Sequence, residues 1–238
     1  MIKRVFLHEL RSMKSDSLYL FLAFFPIIIA GVAAILVPYM EDHVVGNWSY
    51  LINAMFLLLN GFMFGAVIAF SLLDDQDDNV LLSLKITPIS VRWYVAIKLL
   101  FGYVFGIFAT LLLMLATGAL ADYSVVAILM IIILAPAQAP IYTLLIVSLS
   151  NNKVEGFVIL KSASLILMGP VAGLFLTNWT ELLLSPFPAY WTTKLIVLEQ
   201  GLPTFMTSSY LYFAIGIVVH ILVGYLLFHI YSKKHHLH

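Results

Sequence analysis

Six long apolar runs constrain the fold of this chain more than any other feature of its sequence. Each run approaches or exceeds the ~20 helical residues that are needed to cross the ~30 Å hydrocarbon core of a bilayer. Lipid offers the backbone no hydrogen-bond partner, and the runs lack the short alternating segments of a barrel, so they are predicted to be helices. The predicted spans are residues 18–38, 51–73, 94–121, 124–149, 157–177 and 210–231.

The composition places the chain in the same class. Hydrophobic residues make up 63% of the sequence and charged residues 10%. A soluble domain of 238 residues could not cover that much apolar surface. We therefore predict an all-α polytopic membrane protein with a single transmembrane domain over residues 1–238. The formal net charge is zero, so no attraction to nucleic acid is expected. The chain has no cysteine, which excludes disulfides and thiolate chemistry.

Lysine and arginine are distributed unevenly between the two predicted faces of the membrane. Eleven of the twelve lie at the N-terminus, in residues 74–93 and 150–156, at the C-terminus or at the adjoining span ends. The opposite loops hold only Lys194. Basic loop residues remain on the cytoplasmic side of a membrane. The bias therefore predicts a multi-pass protein of the cell membrane with both termini and the acidic stretch in the cytoplasm.

Residues 1–17 are predicted to form a helix on the membrane surface. Phe6 lies on its apolar stripe, whereas Arg11 and the other basic residues face elsewhere. A basic surface anchor is one interpretation. Glu9 adds nothing to lipid binding, so a contact with a cytoplasmic partner is expected as well.

Two patterns within the spans concern helix packing. Gly61 and Gly65 have the small-xxx-small spacing that lets helices approach closely in lipid, and packing inside the chain is favoured over a subunit interface. Pro136, Pro140 and Pro170 interrupt the fourth and fifth spans and should kink them.

Three polar side chains are predicted to lie deep in the membrane: Asn60, Gln138 and His220. Leaving such groups unpaired in lipid is costly, so they should face protein or a cavity, on the translocation path or in span packing. Interhelical hydrogen bonds are expected for Asn60 and Gln138. His220 lacks an intramembrane carboxylate partner in the sequence, which argues against a proton relay.

Residues 178–209 form the longest predicted outer segment, and they are unusually apolar. Two short apolar pieces are separated by Pro186 and Pro188, and neither piece is long enough to span. The pattern predicts a re-entrant or interface-lying hairpin with Tyr190 and Trp191 at the level of the lipid headgroups.

The acidic stretch between the second and third spans is predicted to carry a short cytoplasmic helix. Asp74–Asp78 is expected to end the second span at the water surface, and Asp78 or Asn79 can cap the next helix. An apolar face formed by Val80, Leu81 and Leu84 would follow. Thr87-Pro88 would end this helix, because a residue before proline avoids the helical region. Such a short amphipathic helix can fit a groove on a soluble partner.

These residues resemble the permeases of type-2 ATP-binding-cassette (ABC) exporters, particularly the small drug- and peptide-exporting members. That family commonly combines acidic residues, a leucine-containing helix, a Thr-Pro-Ile/Val-Ser block and a lysine in the next span. A Pro-x-x-Tyr-Trp outer segment is similar too. Asn79-Val80 stands where Gly-Thr is usual in the family. The matching stretches here are Asn79-Val80-Leu81-Leu82-Ser83-Leu84, Thr87-Pro88-Ile89-Ser90, Lys98 and Ser185-Pro186-Phe187-Pro188-Ala189-Tyr190-Trp191.

The resemblance implies a transport subunit without catalytic residues, metal or nucleotide site of its own. Two such permeases, identical or similar, would pair on two ATPase subunits that bind Mg-ATP. The N-terminal helix, through Phe6, Glu9 and Arg11, and the loop holding Lys153 and Glu155 would make secondary contacts. The coupling residues would be Asp77, Asp78, Asn79, Val80, Leu81, Leu84, Thr87 and Pro88.

Three alternatives remain open from the sequence. The spacing of Asp74, Asp75 and Asp78 matches the Asp-Asp-x-x-Asp pattern by which prenyltransferase-like membrane enzymes hold Mg²⁺, although a second acidic cluster is missing. The stretch could also be a solvated acidic loop without function. A secondary transporter is weakened by the lack of paired intramembrane charges. The cargo, whether a drug, a peptide or a lipid-like molecule, is not specified by the sequence.

Overall fold

The computed structural model describes residues 17–44, 48–84, 86, 90–166 and 168–235, and the regular secondary structure in this part of the chain is all helical, without strands. The predicted N-terminal helix with Phe6, Glu9 and Arg11 lies outside the described residues, as do Thr87 and Pro88. In chain order the helices are α1 (Ser17–His43), α2 (Trp48–Asp77), α3 (Val80–Leu84), α4 (Val91–Ala116), α5 (Ala119–Asp122), α6 (Val125–Leu134), α7 (Gln138–Leu149), α8 (Lys153–Ile166), α9 (Met168–Gly173), a 3₁₀ helix (Trp179–Leu184), α10 (Pro188–Glu199) and α11 (Ser209–Lys234).

Five segments in the described part of the chain are long and apolar enough to cross a membrane: α1 from Phe24, α2, α4, α6 together with α7, and α11. They correspond to five of the six predicted spans. The remaining predicted span, 157–177, is covered by α8 and α9, which flank residue 167 outside the described residues. A sixth span therefore stays a prediction.

Helix α2 lies at the centre of the bundle. Within its most apolar stretch 83% of the residues are buried by protein, against 17% for α11. It packs mainly against α1, α4 and α7. Exposed apolar side chains such as Ile35 of α1 and Leu222 of α11 account for the low burial of the outer helices. The Trp48 end and the Asp77 end of helix α2 mark the two ends of the bundle.

Close packing of α2 on α7 depends on two glycines. A Cβ atom at Gly61 would lie 2.7 Å from Gln138 Cβ, and one at Gly65 would lie 2.7 Å from Tyr142 Cβ. Any larger residue would force the helices apart. The small-xxx-small spacing of Gly61 and Gly65 thus serves packing within the chain.

Proline and glycine determine where two predicted spans are interrupted. Ala135, Pro136 and Ala137 separate α6 from α7, because proline supplies no backbone donor for a continuous helix. Pro140 falls within the first turn of α7, where a missing donor costs little. The predicted span 94–121 is divided as well: α4 ends at Ala116, and Gly118 adopts a left-handed φ of 78° before α5 begins.

The outer segment folds back into the bundle. After the 3₁₀ helix, Pro188 occupies the first turn of α10, a position that suits its fixed φ angle. Nine consecutive residues of α10, from Ala189 to Val197, are buried. Both side chains that the sequence predicts at headgroup level, Tyr190 and Trp191, are buried by protein, and their depth in the membrane stays a prediction. Whether α10 re-enters the membrane stays a prediction.

Candidate functional site

The second span continues past its predicted end. Helix α2 extends to Asp77 instead of ending at Leu73, so the first three acidic residues of the stretch, Asp74, Asp75 and Asp77, belong to its last turn. Asn79 then adopts a left-handed φ of 57°, which ends the helix. Asparagine tolerates this conformation better than most side chains. Its carbonyl accepts the Ser83 N–H at 3.0 Å and thereby starts α3. A left-handed residue here explains why asparagine can occupy the position where glycine is usual in the resembling family.

Asp75 is buried, contrary to the expectation that the whole acidic stretch lies at the water surface. It forms an ion pair with Lys98 of α4, and the two residues are 7% and 1% exposed. The Tyr94 hydroxyl donates to Asp75 Oδ2 at 2.8 Å, and Lys98 Nζ donates to Ser71 Oγ at 2.7 Å. A buried charge is tolerated only when it is paired and hydrogen-bonded. The pair therefore joins the end of α2 to α4, the two helices that precede and follow α3 in the chain.

The turn between α7 and α8 contacts the same acidic stretch. Lys153 Nζ lies 3.0 Å from the Asp74 carboxylate, and the Lys153 backbone N–H donates to Asp77 Oδ2 at 3.3 Å. Asn152 Oδ1 accepts the Glu155 N–H at 2.9 Å, which caps the start of α8. The predicted secondary contact residues Lys153 and Glu155 are thus part of the framework that holds the end of α2.

Helix α3 lies with its apolar face against the bundle. Leu81 is 6% exposed, and Leu84 packs against the same core cluster as Leu81. This orientation revises the expectation that Val80, Leu81 and Leu84 together face a partner's groove. Among the side chains that the structure describes in this segment, the exposed surface is mostly polar, apart from Ile86, which is 90% exposed. It comprises Asp77, Asp78, Asn79, Ser83 and Ile86.

A polar trio connects three helices in the middle of the bundle. The amide of Gln138 on α7 lies 3.2 Å from Thr192 Oγ1 on α10 and 2.8 Å from His220 Nε2 on α11. His220 Nδ1 lies 2.7 Å from the Gly216 carbonyl, which can only accept a hydrogen bond. The proton therefore resides on Nδ1, and Nε2 accepts from the Gln138 amide. Asn60 Nδ2 similarly donates to the Ala109 carbonyl of α4 at 3.3 Å.

A second buried ion pair holds the outer segment. Lys194 Nζ of α10 lies 2.7 Å from Glu181 Oε2 of the 3₁₀ helix, and neither side chain is exposed. The Tyr190 hydroxyl donates to Glu181 Oε1 at 3.0 Å, and the Tyr212 hydroxyl donates to the same atom. Burial lowers the pKa of Lys194, and Glu181 opposes that shift. Sequence reasoning missed this cluster, although two opposite charges in an otherwise apolar segment were the available signal.

The geometry does not favour the magnesium-dependent enzyme. Asp74 pairs with Lys153 and Asp75 with Lys98, so the two carboxylates turn towards different lysines. In the described ranges no three acidic or histidine side chains are grouped so that they could hold a metal ion.

An apolar pocket of about 180 Å³ opens beside the polar trio. Gln138 and Tyr142 of α7 form one wall, and the Pro186-Phe187-Pro188 turn forms another. The predicted packing residues and the predicted outer segment are therefore brought together around one cavity.

Comparison with known proteins identifies similar export permeases. The family model described as "Fluoroquinolones export permease protein Rv2686c-like" matches residues 9–228. The fluoroquinolones export permease proteins MT2760 and Rv2686c of Mycobacterium tuberculosis, from strains CDC 1551 / Oshkosh and ATCC 25618 / H37Rv, are each 24% identical over 237 residues, covering 96% of this chain and 92% of the relative. No solved structure matches the chain. The recognition of an exporter permease from the sequence is confirmed.

Proposed function

This chain belongs to the Rv2686c-like family of fluoroquinolones export permease proteins, and from that premise we propose that it is the membrane subunit of an ATP-driven ABC exporter. Its cargo is an amphipathic or hydrophobic compound, of the kind that the names of its relatives specify. It works in the cell membrane with both termini in the cytoplasm. Two copies, or this chain and a similar one, sit on two ATPase subunits. Mg-ATP binds to the ATPase subunits and not to this chain.

The observation that carries this proposal is the way α3 is held. Its apolar side is anchored on the bundle through Leu81. Ser83 on the helix is exposed, as are Asp78 and Asn79 in the turn before it. A helix anchored on one face transmits a push from the other face into the bundle. This arrangement supports a role in which an ATPase contacts the polar surface together with Ile86.

Transmission would proceed through the two clamps at the Asp77 end. Asp75 ties α2 to Lys98 of α4, and Asp74 ties α2 to Lys153 at the start of α8. A displacement of α3 would therefore move three helices together. ATP can drive such a change only if the ATPase contacts the inward-open and outward-open states with different free energies.

The pocket beside Gln138 is the proposed place of the apolar part of the cargo. Its walls are chiefly proline, aromatic and aliphatic side chains, with the Gln138 amide as a polar group. Pockets for small organic ligands have this combination of apolar lining and a few oriented polar groups.

The test uses the complex of the permease with its ATPase. Asp78→Lys and Ile86→Asp change exposed side chains, so the protein should insert and fold normally. Each substitution should reduce the amount of ATPase that co-purifies and the ATPase activity that the permease stimulates. A reduction of about fivefold or more is expected where the lost contact is a desolvated charge pair with the ATPase.

Asp42→Lys provides the matched control, because Asp42 is also exposed but lies at the Trp48 end of the bundle. It should leave co-purification and stimulated activity unchanged. Unaltered association and activity in both Asp78→Lys and Ile86→Asp would exclude the coupling role of α3. ATP turnover by the purified chain alone would contradict the proposal that only the ATPase subunits hydrolyse ATP.

A further inference from the structure

A second pocket, of about 220 Å³, lies at the Trp48 end of the bundle, opposite the proposed coupling surface. It is formed where α1 and α4 end, where α2 begins and where α10 ends. Three carboxylates line it: Glu41 of α1, Asp122 of α5 and Glu199 of α10. Three different elements thus contribute one acidic group each to the same cavity.

Within the described part of the chain, none of these carboxylates forms an ion pair with a lysine. The ion pairs formed by lysines of the described chain go to Asp74, Asp75 and Glu181 instead. Tyr123 also lines the pocket, and burial raises its pKa to about 12, with the charges of Asp122 and Glu199 acting in the same direction. The cavity therefore favours positive charge.

A buried, unpaired acceptor is a second and independent sign of a ligand. Asn53 of α2 lines the pocket and is only 6% exposed, yet its side-chain Oδ1 has no hydrogen-bond partner among the described residues. A buried carbonyl without a donor costs about 1–3 kcal/mol, so native proteins rarely leave one unpaired. A ligand that carries an N–H donor would satisfy it.

The chemistry of the lining favours an organic ammonium group over a metal ion. The rings of Tyr50 and Tyr123 border the cavity, and aromatic faces attract ammonium groups. Across the residues that the structure describes, no trio of acidic or histidine side chains is close enough to bind a metal. Carboxylates, an amide oxygen and aromatic rings are together suited to an ammonium carried on an apolar skeleton.

We propose that this pocket binds the protonated amine of an organic cation and that it receives the cargo of the exporter before release. The carboxylates balance the charge of the amine, Asn53 Oδ1 accepts one of its N–H groups, and the tyrosine rings cover its apolar part. The proposal that an amine binds here follows from the residues that line the pocket, whereas the assignment of that amine to cargo rests on the proposed function.

Binding is tested on the purified full-length chain, in nanodiscs made of phosphatidylglycerol, by isothermal titration calorimetry. The probe is 2-phenylethylammonium, and 2-phenylethanol is its uncharged counterpart. We expect the ammonium to bind at least about tenfold more tightly than the alcohol, from the neutralisation of several carboxylates in a partly enclosed cavity. Equal affinities, or no binding of the ammonium, would overturn the proposal.

Variants locate the site. The triple substitution Glu41→Gln, Asp122→Asn and Glu199→Gln should weaken ammonium binding about tenfold, and Asn53→Ala about threefold. Binding of 2-phenylethanol should change little in the triple variant, which separates a lost charge contact from a misfolded protein. Asp42→Asn removes a neighbouring exposed carboxylate that does not line the pocket, so it should bind like the wild type. If Asp42→Asn lost as much ammonium affinity as the triple variant, the effect would come from general surface charge and not from the pocket.

Two further measurements decide what the pocket binds in the cell. If phosphatidylethanolamine nanodiscs abolish probe binding, the pocket belongs to a lipid headgroup and its assignment to cargo is wrong. If the triple variant loses efflux of an ammonium compound but keeps stimulated ATPase activity, cargo is supported. Failure of the proposed exporter function would instead show as absent stimulation in the wild type, whatever the binding result.

Discussion

Lys98 on α4 and Asp75 on α2 form an ion pair that water hardly reaches, directly beside the segment that connects their two helices. The pair fixes the start of α4 relative to the end of α2. The connecting segment, which contains α3, is therefore held at both of its ends.

Removing one partner of this pair should be strongly destabilising. In Lys98→Met the Asp75 carboxylate stays buried without its counter-charge, which typically costs about 3–5 kcal/mol. Thermal unfolding in detergent should show a clearly lowered Tm. The double variant Asp75→Asn with Lys98→Met should recover most of the loss, and Lys161→Met, at an exposed lysine, should have little effect. A double variant no more stable than Lys98→Met would contradict the pairing.

The Glu181–Lys194 pair should control the order of the outer segment. Glu181→Gln leaves the Lys194 ammonium buried without a counter-charge, and a loss of about 3–5 kcal/mol is again expected. Hydrogen exchange should accelerate in residues 179–199 while the amides around Asp75 keep their protection, since the two clusters are at opposite ends of the bundle. Adding Lys194→Met should restore protection in part. Uniform acceleration along the chain would argue against a local role.

Gly65 should not tolerate a methyl group. In Gly65→Ala the new Cβ would lie 2.7 Å from Tyr142 Cβ and 2.9 Å from the Ala139 carbonyl oxygen, so α2 and α7 must separate. Overpacking of this kind costs about 1–3 kcal/mol. Gly224→Ala is the matched control, because no atom lies within 4 Å of its added Cβ. A Tm for Gly65→Ala at or above that of Gly224→Ala would refute the close contact.

The orientation of the bundle can be checked with introduced cysteines, since the chain contains none. Asp42→Cys should react with a membrane-impermeant maleimide added to intact cells, because the distribution of basic residues puts the Trp48 end outside. Ser83→Cys should react only after the membrane is opened. The reverse pattern would invert the predicted topology.

The sequence predicted the parts of this fold that follow from local composition. Apolar length identified five of the spans, proline spacing predicted the break at Pro136, and the acidic stretch located α3 within a few residues. Its failures share a cause. Asp75 looked solvated because its partner, Lys98, is brought near only by the packing of α4, and Glu181 meets Lys194 only once α10 has folded back. Such contacts between separate elements are not encoded in any short stretch of sequence.

Helix α2 carries both proposed working surfaces. With 30 residues it forms a rod of about 45 Å. Asp75, at the clamp, and Asn53, in the acidic cavity, are about 33 Å apart along the same axis. A tilt of about 5° at one end of such a lever would shift the other end by about 4 Å. A movement that the ATPase imposes at the Asp77 end would thus reach the acidic pocket through α2 alone, without a chain of intermediate contacts.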